Sequence, residues 1–234
     1  MFSKLNPLKK TDKGSSTHTG FDPYEVLEVR HLTADSFSLR IERRDLVFKA
    51  GQCFNVGPMG AIVNREYSIY SGESEPYLEF LIKLVKDGAV SSKLHSLKKG
   101  DLVEVAGPYG LFTLNQKNIS QNKYVFIATG TGIAPFHSYV KSNPGLNYQI
   151  IHGVREARDQ HDKATYEPAR YTACVSREKG EWFNGRVTEY LKDRALDKDA
   201  YYYICGNRKM ISEVFDLLTS KQISGDRIIT EVFF

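Results

Sequence analysis

The spacing of apolar residues changes period near residue 118, and a chain that does this is built as two unlike halves. Between residues 24 and 114 the apolar residues come in short alternating runs. These are Tyr24-Glu25-Val26-Leu27-Glu28-Val29, Ser36-Phe37-Ser38-Leu39-Arg40-Ile41, Glu66-Tyr67-Ser68-Ile69-Tyr70, Leu78-Glu79-Phe80-Leu81-Ile82-Lys83 and Leu102-Val103-Glu104-Val105. Side chains alternate across a strand, so each run offers one apolar face, and glycine, proline and charged residues separate the runs. Several short strands of this kind predict an antiparallel β-barrel or sandwich, with a short helix at 91–97. Beyond residue 118, Tyr124-Val125-Phe126-Ile127-Ala128 is apolar throughout, as a strand covered on both faces must be. Strands expected at 124–128, 148–153, 170–175, 201–205 and 227–231 alternate with helices expected at 135–141, 157–166, 187–196 and 209–221. That alternation predicts an α/β doubly wound parallel sheet. The expected organisation is a flexible polar tail at 1–20, a β-barrel domain at 21–118 and an α/β domain at 119–234.

Composition narrows the function classes. With 234 residues, 41% hydrophobic and 26% charged, the chain has the make-up of a packed soluble protein and not of a disordered one. No window approaches the ~20 continuous apolar residues of a membrane helix. Met1-Phe2-Ser3-Lys4-Leu5-Asn6-Pro7 lacks the apolar core of an export signal, so a cytoplasmic location is expected. Cys53, Cys174 and Cys205 cannot all pair and have no metal-ligand spacing, so no metal or iron–sulfur cluster is expected. A net charge of +4 is too small to point to nucleic acid, yet it suits a local patch for an acidic partner. The 14 Tyr and 13 Phe fit planar ligands or aromatic packing.

Four segments carry side chains suited to chemistry. Ala128-Thr129-Gly130-Thr131-Gly132-Ile133-Ala134-Pro135 runs from a strand through a glycine turn into a helix. Glycines let a backbone approach a phosphate, the helix start offers free N–H groups, and Pro135 suits the first turn. A merely tight turn would use the same residues. In Arg65-Glu66-Tyr67-Ser68 the guanidinium can hold a diphosphate, the ring can stack on a flat ligand, and the hydroxyl can bond its edge. A surface strand with a salt-bridging Arg and a packed Tyr is the other reading. Asp87-Gly88-Ala89-Val90-Ser91-Ser92 offers backbone donors at a helix start, or a hairpin turn with a serine cap. Ile204-Cys205-Gly206-Asn207 ends a strand at the edge where open α/β sheets present catalytic groups, although a cysteine there also serves as a small buried hydrophobe.

Taken in this order, the segments resemble the ferredoxin–NADP reductase family, bacterial-type and FAD-containing, from about Tyr24 to Phe234. Arg65-x-Tyr67-Ser68 is similar to the family's flavin motif, and Gly107-Pro108-Tyr109-Gly110-x-Phe112 to the segment closing its barrel. Gly130-Thr131-Gly132-x-x-Pro135 is similar to its nicotinamide-nucleotide motif, and Cys205-Gly206-Asn207 to its nicotinamide-side motif. Glu231-Val232-Phe233-Phe234 is similar to its C-terminal glutamate and aromatic. The resemblance implies FAD between the domains, with Arg65 on the pyrophosphate, Tyr67 on the isoalloxazine, Ser68 near N5 and Glu66 beside them. It places Leu81, Ile82 and Lys83 along the flavin, Ala89, Val90 and Ser91 on the diphosphate, and Thr131 close to both cofactors. It further implies that Thr131 and Gly132 approach the NADP pyrophosphate, and that Cys205 sits over the nicotinamide beside Gly206 and Asn207. Glu231 would pair with Ser68 in a proton or hydrogen-bond relay, so that Ser68, Cys205 and Glu231 form the catalytic set. Phe233 matches the aromatic that covers the flavin's other face. The family more often has Tyr there, and Phe234 lies one residue further on, so either Phe is a candidate.

The 2′-phosphate of NADP needs cations, and Arg155, Arg177 (after Ser176) and Arg186 follow strand ends or helix starts, where solvated surface arginines are the alternative. The resulting expectation is a monomeric reductase moving electrons between NADP(H) and ferredoxin or flavodoxin, an acidic carrier met by Lys93, Lys98 and Lys99. One rival is an NADH-dependent reductase component of an oxygenase or haem-protein system, which the three arginines oppose. Another is a non-catalytic flavin- or nucleotide-binding regulatory subunit, which Ser68, Cys205 and Glu231 oppose.

Overall fold

A computed structural model describes residues 22–115 and 118–233, so the predicted tail and Phe234 lie outside the described residues. The first half forms strands β1 (Asp22–Thr33), β2 (Ser36–Glu42), β3 (Cys53–Pro58), β4 (Arg65–Ser68), β5 (Tyr77–Lys83) and β6 (Leu102–Tyr109). Each neighbouring pair is antiparallel, in the order β4-β3-β6-β1-β2-β5. Just past β4, Ile69 bridges to Phe80 of β5 and joins the two edges, which closes the sheet into a barrel. The inward faces of these strands (Phe37, Leu39, Phe54, Phe80, Val103) meet as one fully buried core. Helix α1 (Ser91–His95) buries Leu94 in that core, and it ends two residues before the predicted helix does. Strand β3 was not predicted, because Gly57 and Pro58 interrupt its alternation; pairing with β4 and β6 on either side makes it a strand all the same.

The second half forms β7 (Tyr124–Thr129), α2 (Ala134–Ser142), β8 (Tyr148–Val154), β9 (Tyr171–Val175), β10 (Phe183–Asn184), α3 (Val187–Lys192), β11 (Tyr201–Asn207), α4 (Arg208–Ser220) and β12 (Ile228–Phe233). All its strands are parallel, in the order β10-β9-β8-β7-β11-β12. Ile133, Phe136 and Tyr139 of the turn and α2 cover one face; α3 and α4 cover the other with Val187, Leu191, Val214 and Leu218. This is the doubly wound sheet that the alternation predicts. The chain winds outward from β7 to β10 and then returns to the far side of β7, so the order reverses at β7. Ligands of such sheets bind beyond the carboxyl ends of the strands at that reversal, which is where the glycine turn lies.

The helix predicted at 157–166 is absent. Two single 3-10 turns, Ala157–Asp159 and Lys163–Thr165, replace it: Asp159 accepts the Glu156 N–H (3.1 Å) in a capping box that opens the first, and Asp162, with a left-handed backbone (φ 48°), interrupts the run before the second. Helix α3 also stops at Lys192, short of the predicted end. Much of the aromatic surplus is packing: Phe126 stacks on Phe136 at 4.8 Å, with Phe112, Tyr139 and Tyr203 around them. No helix among the described residues is long and apolar enough to cross a membrane.

The two halves are joined along α2. The His137 ring donates from Nδ1 to the Tyr70 carbonyl (2.7 Å), Ser138 Oγ donates to the Ser71 carbonyl (2.7 Å), and Tyr139 OH donates to the Phe112 carbonyl. One turn on, Lys141 pairs with Glu75, and Ser142 Oγ accepts the Glu73 N–H (2.9 Å).

Candidate active site

Between the halves runs a cleft of about 1210 Å³. The barrel contributes Arg65, Glu66, Tyr67 and Ser68 of β4, Leu81 and Lys83 of β5, and Ala89, Val90 and Ser91 before and within α1. The parallel sheet contributes Thr131, Arg155, Ser176 and Arg186, with Gly206, Asn207, Glu231 and Phe233 from its last two strands. Most of the residues expected at the site therefore share one concavity. Ile82 points into the barrel core instead, and Gly132 is buried beneath the turn. Arg177 is exposed and does not line the cleft; its backbone N–H bonds to the Arg155 carbonyl (2.9 Å).

Inside the cleft a hydrogen bond crosses the two halves: Ser68 Oγ donates to Glu231 Oε1 at 2.8 Å. Burial, and then the nearby Glu66 charge, raise the Glu231 carboxyl above its usual range, while the Ser68 hydroxyl pulls the other way. Cys205 lies opposite Glu231 in the β11–β12 register but is fully buried among Phe126, Tyr139 and Tyr203. Burial and the Glu231 charge push its thiol well above the ordinary range, so Cys205 is a neutral, packed group and not an exposed nucleophile. Phe233, opposite Asn207, packs on the same cluster.

The glycines of the turn answer to contact. A Cβ on Gly132 would stand 2.5 Å from the Cys205 carbonyl oxygen, so only glycine lets β7 and β11 carry their turns this close. Gly206 has φ +132° and would place a Cβ 2.4 Å from Thr129 Oγ1, the oxygen that accepts the Asn207 N–H. Asn207 Oδ1 in turn accepts the N–H groups of Lys209 and Met210, so this side chain caps α4.

The donors present fit FAD. Arg65 is exposed, donates to the Asn64 carbonyl (3.0 Å) and has no ion pair among the described residues, so its fork is open to a diphosphate. The first turn of α1 has no side-chain cap, and a Cβ on Gly88 would meet the Val85 carbonyl oxygen at 2.9 Å, which keeps that backbone close and bare. Tyr67 lies in the cleft wall, half-buried against the barrel core, with burial pushing its hydroxyl up to about 12; its ring suits stacking on a flat ligand.

Two families of known domains match in the same order, the oxidoreductase FAD-binding domain over residues 27–114 and the oxidoreductase NAD-binding domain over 126–216. The flavodoxin/ferredoxin–NADP reductase of Escherichia coli (strain K12) is 30% identical over 214 residues, covering 81% of this chain and 86% of the relative. The chain belongs to the ferredoxin/flavodoxin–NADP reductase family. A toluate 1,2-dioxygenase electron transfer component of Pseudomonas putida is also 30% identical, but the chain spans only 66% of it. A ferredoxin NADP+ reductase from Neisseria gonorrhoeae shares the fold, with a TM-score of 0.82 at 24% identity, over 92% of this chain and 99% of that one. The reductase is thus an FAD-dependent oxidoreductase that works with a nicotinamide nucleotide.

Sequence reasoning passed over several cleft residues of this reductase. Lys209, in the first turn of α4, adds a cation to the nucleotide side, loosely paired with Glu213 at 3.8 Å. Asn55, Asn64 and Cys53 line the barrel side, and burial pushes the Cys53 thiol up to about 11. His161 and Asp159 reach the cleft from the segment misread as a helix. Lys209 was legible as a helix-start cation after Asn207; the others depend on pairing and loop path, which leave no local signal.

Proposed function

We propose that this chain passes electrons between NADP(H) and a small acidic one-electron carrier, ferredoxin or flavodoxin, with residues 21–118 holding FAD and 119–234 the nucleotide. FAD supplies the redox chemistry when bound, accepting or giving hydride as an electron pair and single electrons at its exposed edge. The observation that carries the reading is the Ser68–Glu231 hydrogen bond, which puts a hydroxyl and a perturbed carboxyl of opposite domains in one cleft. Arg65 and the backbone at Ala89, Val90 and Ser91 hold the diphosphate, Tyr67 stacks on one face of the ring, and Leu81, Ile82 and Lys83 run beside it. Thr131 and Gly132 bring the turn to the nucleotide pyrophosphate, and Ser176 with Arg155, Arg177 and Arg186 takes the 2′-phosphate. None of these three arginines has an ion pair among the described residues, which favours NADP over NAD. Gly206 and Asn207 face the nicotinamide once Phe233 moves, with Cys205 packed in the core beneath them. The exposed Lys93, Lys98 and Lys99 meet the carrier by charge complementarity.

The purified protein should release FAD on acid extraction, because Arg65 and the α1 start address a diphosphate that FMN lacks. Chromatography of the released flavin decides this, and FMN or no flavin would overturn the assignment. NADPH-dependent bleaching of that flavin, followed by reduction of flavodoxin or ferredoxin, tests the activity itself. A protein that works with NADH and an oxygenase component instead would replace the reading.

Phe233 covers the position that nicotinamide must reach. Aromatic stacking is worth roughly 0.5–1.5 kcal/mol beyond burial, so the ring is displaceable yet lowers the share of binding-competent protein. Phe233→Ser should therefore tighten NADP⁺ binding and produce a long-wavelength absorption band on titration. A variant that binds no tighter and shows no new band removes Phe233 from this role.

A further inference from the structure

Segment 155–166 leaves β8 with Arg155, passes Asp159 and His161 along the cleft and returns to β9 without a helix of its own. What holds its middle is a contact with the other domain. Arg30 of β1 is fixed on its inner side: Nε donates to Ser38 Oγ (2.9 Å) and Glu79 Oε1 (3.2 Å), and NH2 to Glu79 Oε1 (2.8 Å). Glu79 itself is 1% exposed. The outer edge of the same guanidinium meets Asp162 with both terminal nitrogens, NH1 to Oδ1 at 3.3 Å and NH2 to Oδ2 at 2.8 Å. Tyr70 OH donates to the same Oδ2 (3.0 Å), and the Tyr70 ring stacks on His137 of α2 with centroids 3.8 Å apart. Beside this, His161 Nε2 and Ser36 Oγ share a hydrogen bond of 2.9 Å.

An arginine already oriented by its own domain loses little freedom when it takes a carboxylate in its fork, so the contact is preorganised. It joins the flavin barrel, the helix after the glycine turn and the segment that begins at Arg155. We propose that Asp162 is a positioning residue: docked in the fork of Arg30, it straps segment 155–166 to the barrel and fixes the nucleotide wall of the cleft relative to the flavin wall. Reacting groups misplaced by about 1 Å can lose up to about a hundredfold in rate, so a loose wall should be visible in the chemical step. The role in hydride transfer rests on the function proposed above, whereas the strap itself does not.

Two readouts on the FAD-loaded protein and one on the FAD-stripped protein test this. Asp162→Asn keeps the shape and removes the charge; flavin reduction at saturating NADPH should slow about tenfold with FAD content unchanged. Trypsin should cut after Arg155, Arg158 or Lys163 about tenfold faster, with or without FAD, because cleavage follows the open population of the strap. Asp162→Glu, which restores the charge, should recover both in part. Should Asp162→Asn fail to fold, Arg30→Lys keeps the charge, loses the fork and is judged by the same criteria. Unchanged tryptic cleavage overturns the strap, and faster cleavage with an unchanged reduction rate reduces Asp162 to a structural contact. A wild-type flavin that NADPH does not bleach counts against the proposed function instead, and the proteolysis still judges the strap.

Discussion

Ser68→Ala should lower the rate of flavin reduction by NADPH by about a hundredfold, the lower end of what a positioned proton-transfer group contributes. The hydroxyl donates to Glu231 across the domain boundary at 2.8 Å, so the substitution removes the donor and leaves a partly buried carboxyl without its partner. Glu231→Gln should cost a similar factor by a different route, since the amide still accepts from Ser68 but carries no charge and takes up no proton. Burial raises the folded carboxyl above its unfolded value, so the wild-type rate should fall as pH drops through a value above the ordinary carboxylate range. That acidic limb should be missing in Glu231→Gln. Stability runs the other way: ionised Glu231 costs the fold above its raised pKa, and acidification through that value removes the cost. Stopped-flow reduction across pH, with FAD content checked by absorbance, measures all of this. Equal rates and equal pH profiles in the two variants and the wild type would remove the pair from the reaction.

Removing a nucleotide-side arginine should change selectivity more than turnover. If the proposed 2′-phosphate role holds, Arg186→Ala or Arg177→Ala deletes a charge-assisted bond to that phosphate, a loss of roughly 1.5–3 kcal/mol. At about 1.4 kcal/mol per tenfold, kcat/KM with NADPH should fall by about one to two decades, while kcat/KM with NADH barely moves. Arg186 lines the cleft directly, whereas Arg177 is tied to Arg155 through its backbone. Steady-state kinetics with both nucleotides separates the cases, and equal losses with NADPH and NADH would mean that the arginines support the fold.

The parts of this protein visible in its sequence are those whose physics is local. Alternation in β1, β2 and β5, continuous apolarity in β7, and the amphipathic run of α4 each declare their element within one window, and the glycines of 128–135 declare the turn. Where long-range partners decide, the sequence is silent. β3 looks broken by Gly57 and Pro58 until both of its neighbours are in place. The helix expected over 157–166 gives way where Asp162 takes a left-handed backbone and binds Arg30 and Tyr70, residues far upstream in the chain. The site behaves in the same way. Arg65, Tyr67 and Ser68 are adjacent and legible as a group, and Glu231 could be assigned to Ser68 only through the family resemblance. Burial of Cys205 follows from the packing of Phe126, Tyr139 and Tyr203 against one another, which no spacing rule reports.

The seam along α2 has a consequence for how this protein tolerates sequence change. His137, Ser138 and Tyr139 all donate to main-chain carbonyls of the first half, those of Tyr70, Ser71 and Phe112. A carbonyl oxygen is present whatever side chain its residue bears, so replacing an accepting residue leaves the acceptor in place provided the backbone keeps its path. Three neighbouring donors on one helix therefore carry the identity requirement for these three bonds, while on the barrel side Tyr70 and Glu75 add side-chain contacts of their own, the Tyr70 ring stacked on His137 and Glu75 paired with Lys141. The carbonyl of Ser71 would survive a change of its side chain, whereas the matching stretch of α2 is held to residues that can donate, and Tyr70 is held by its stack on His137.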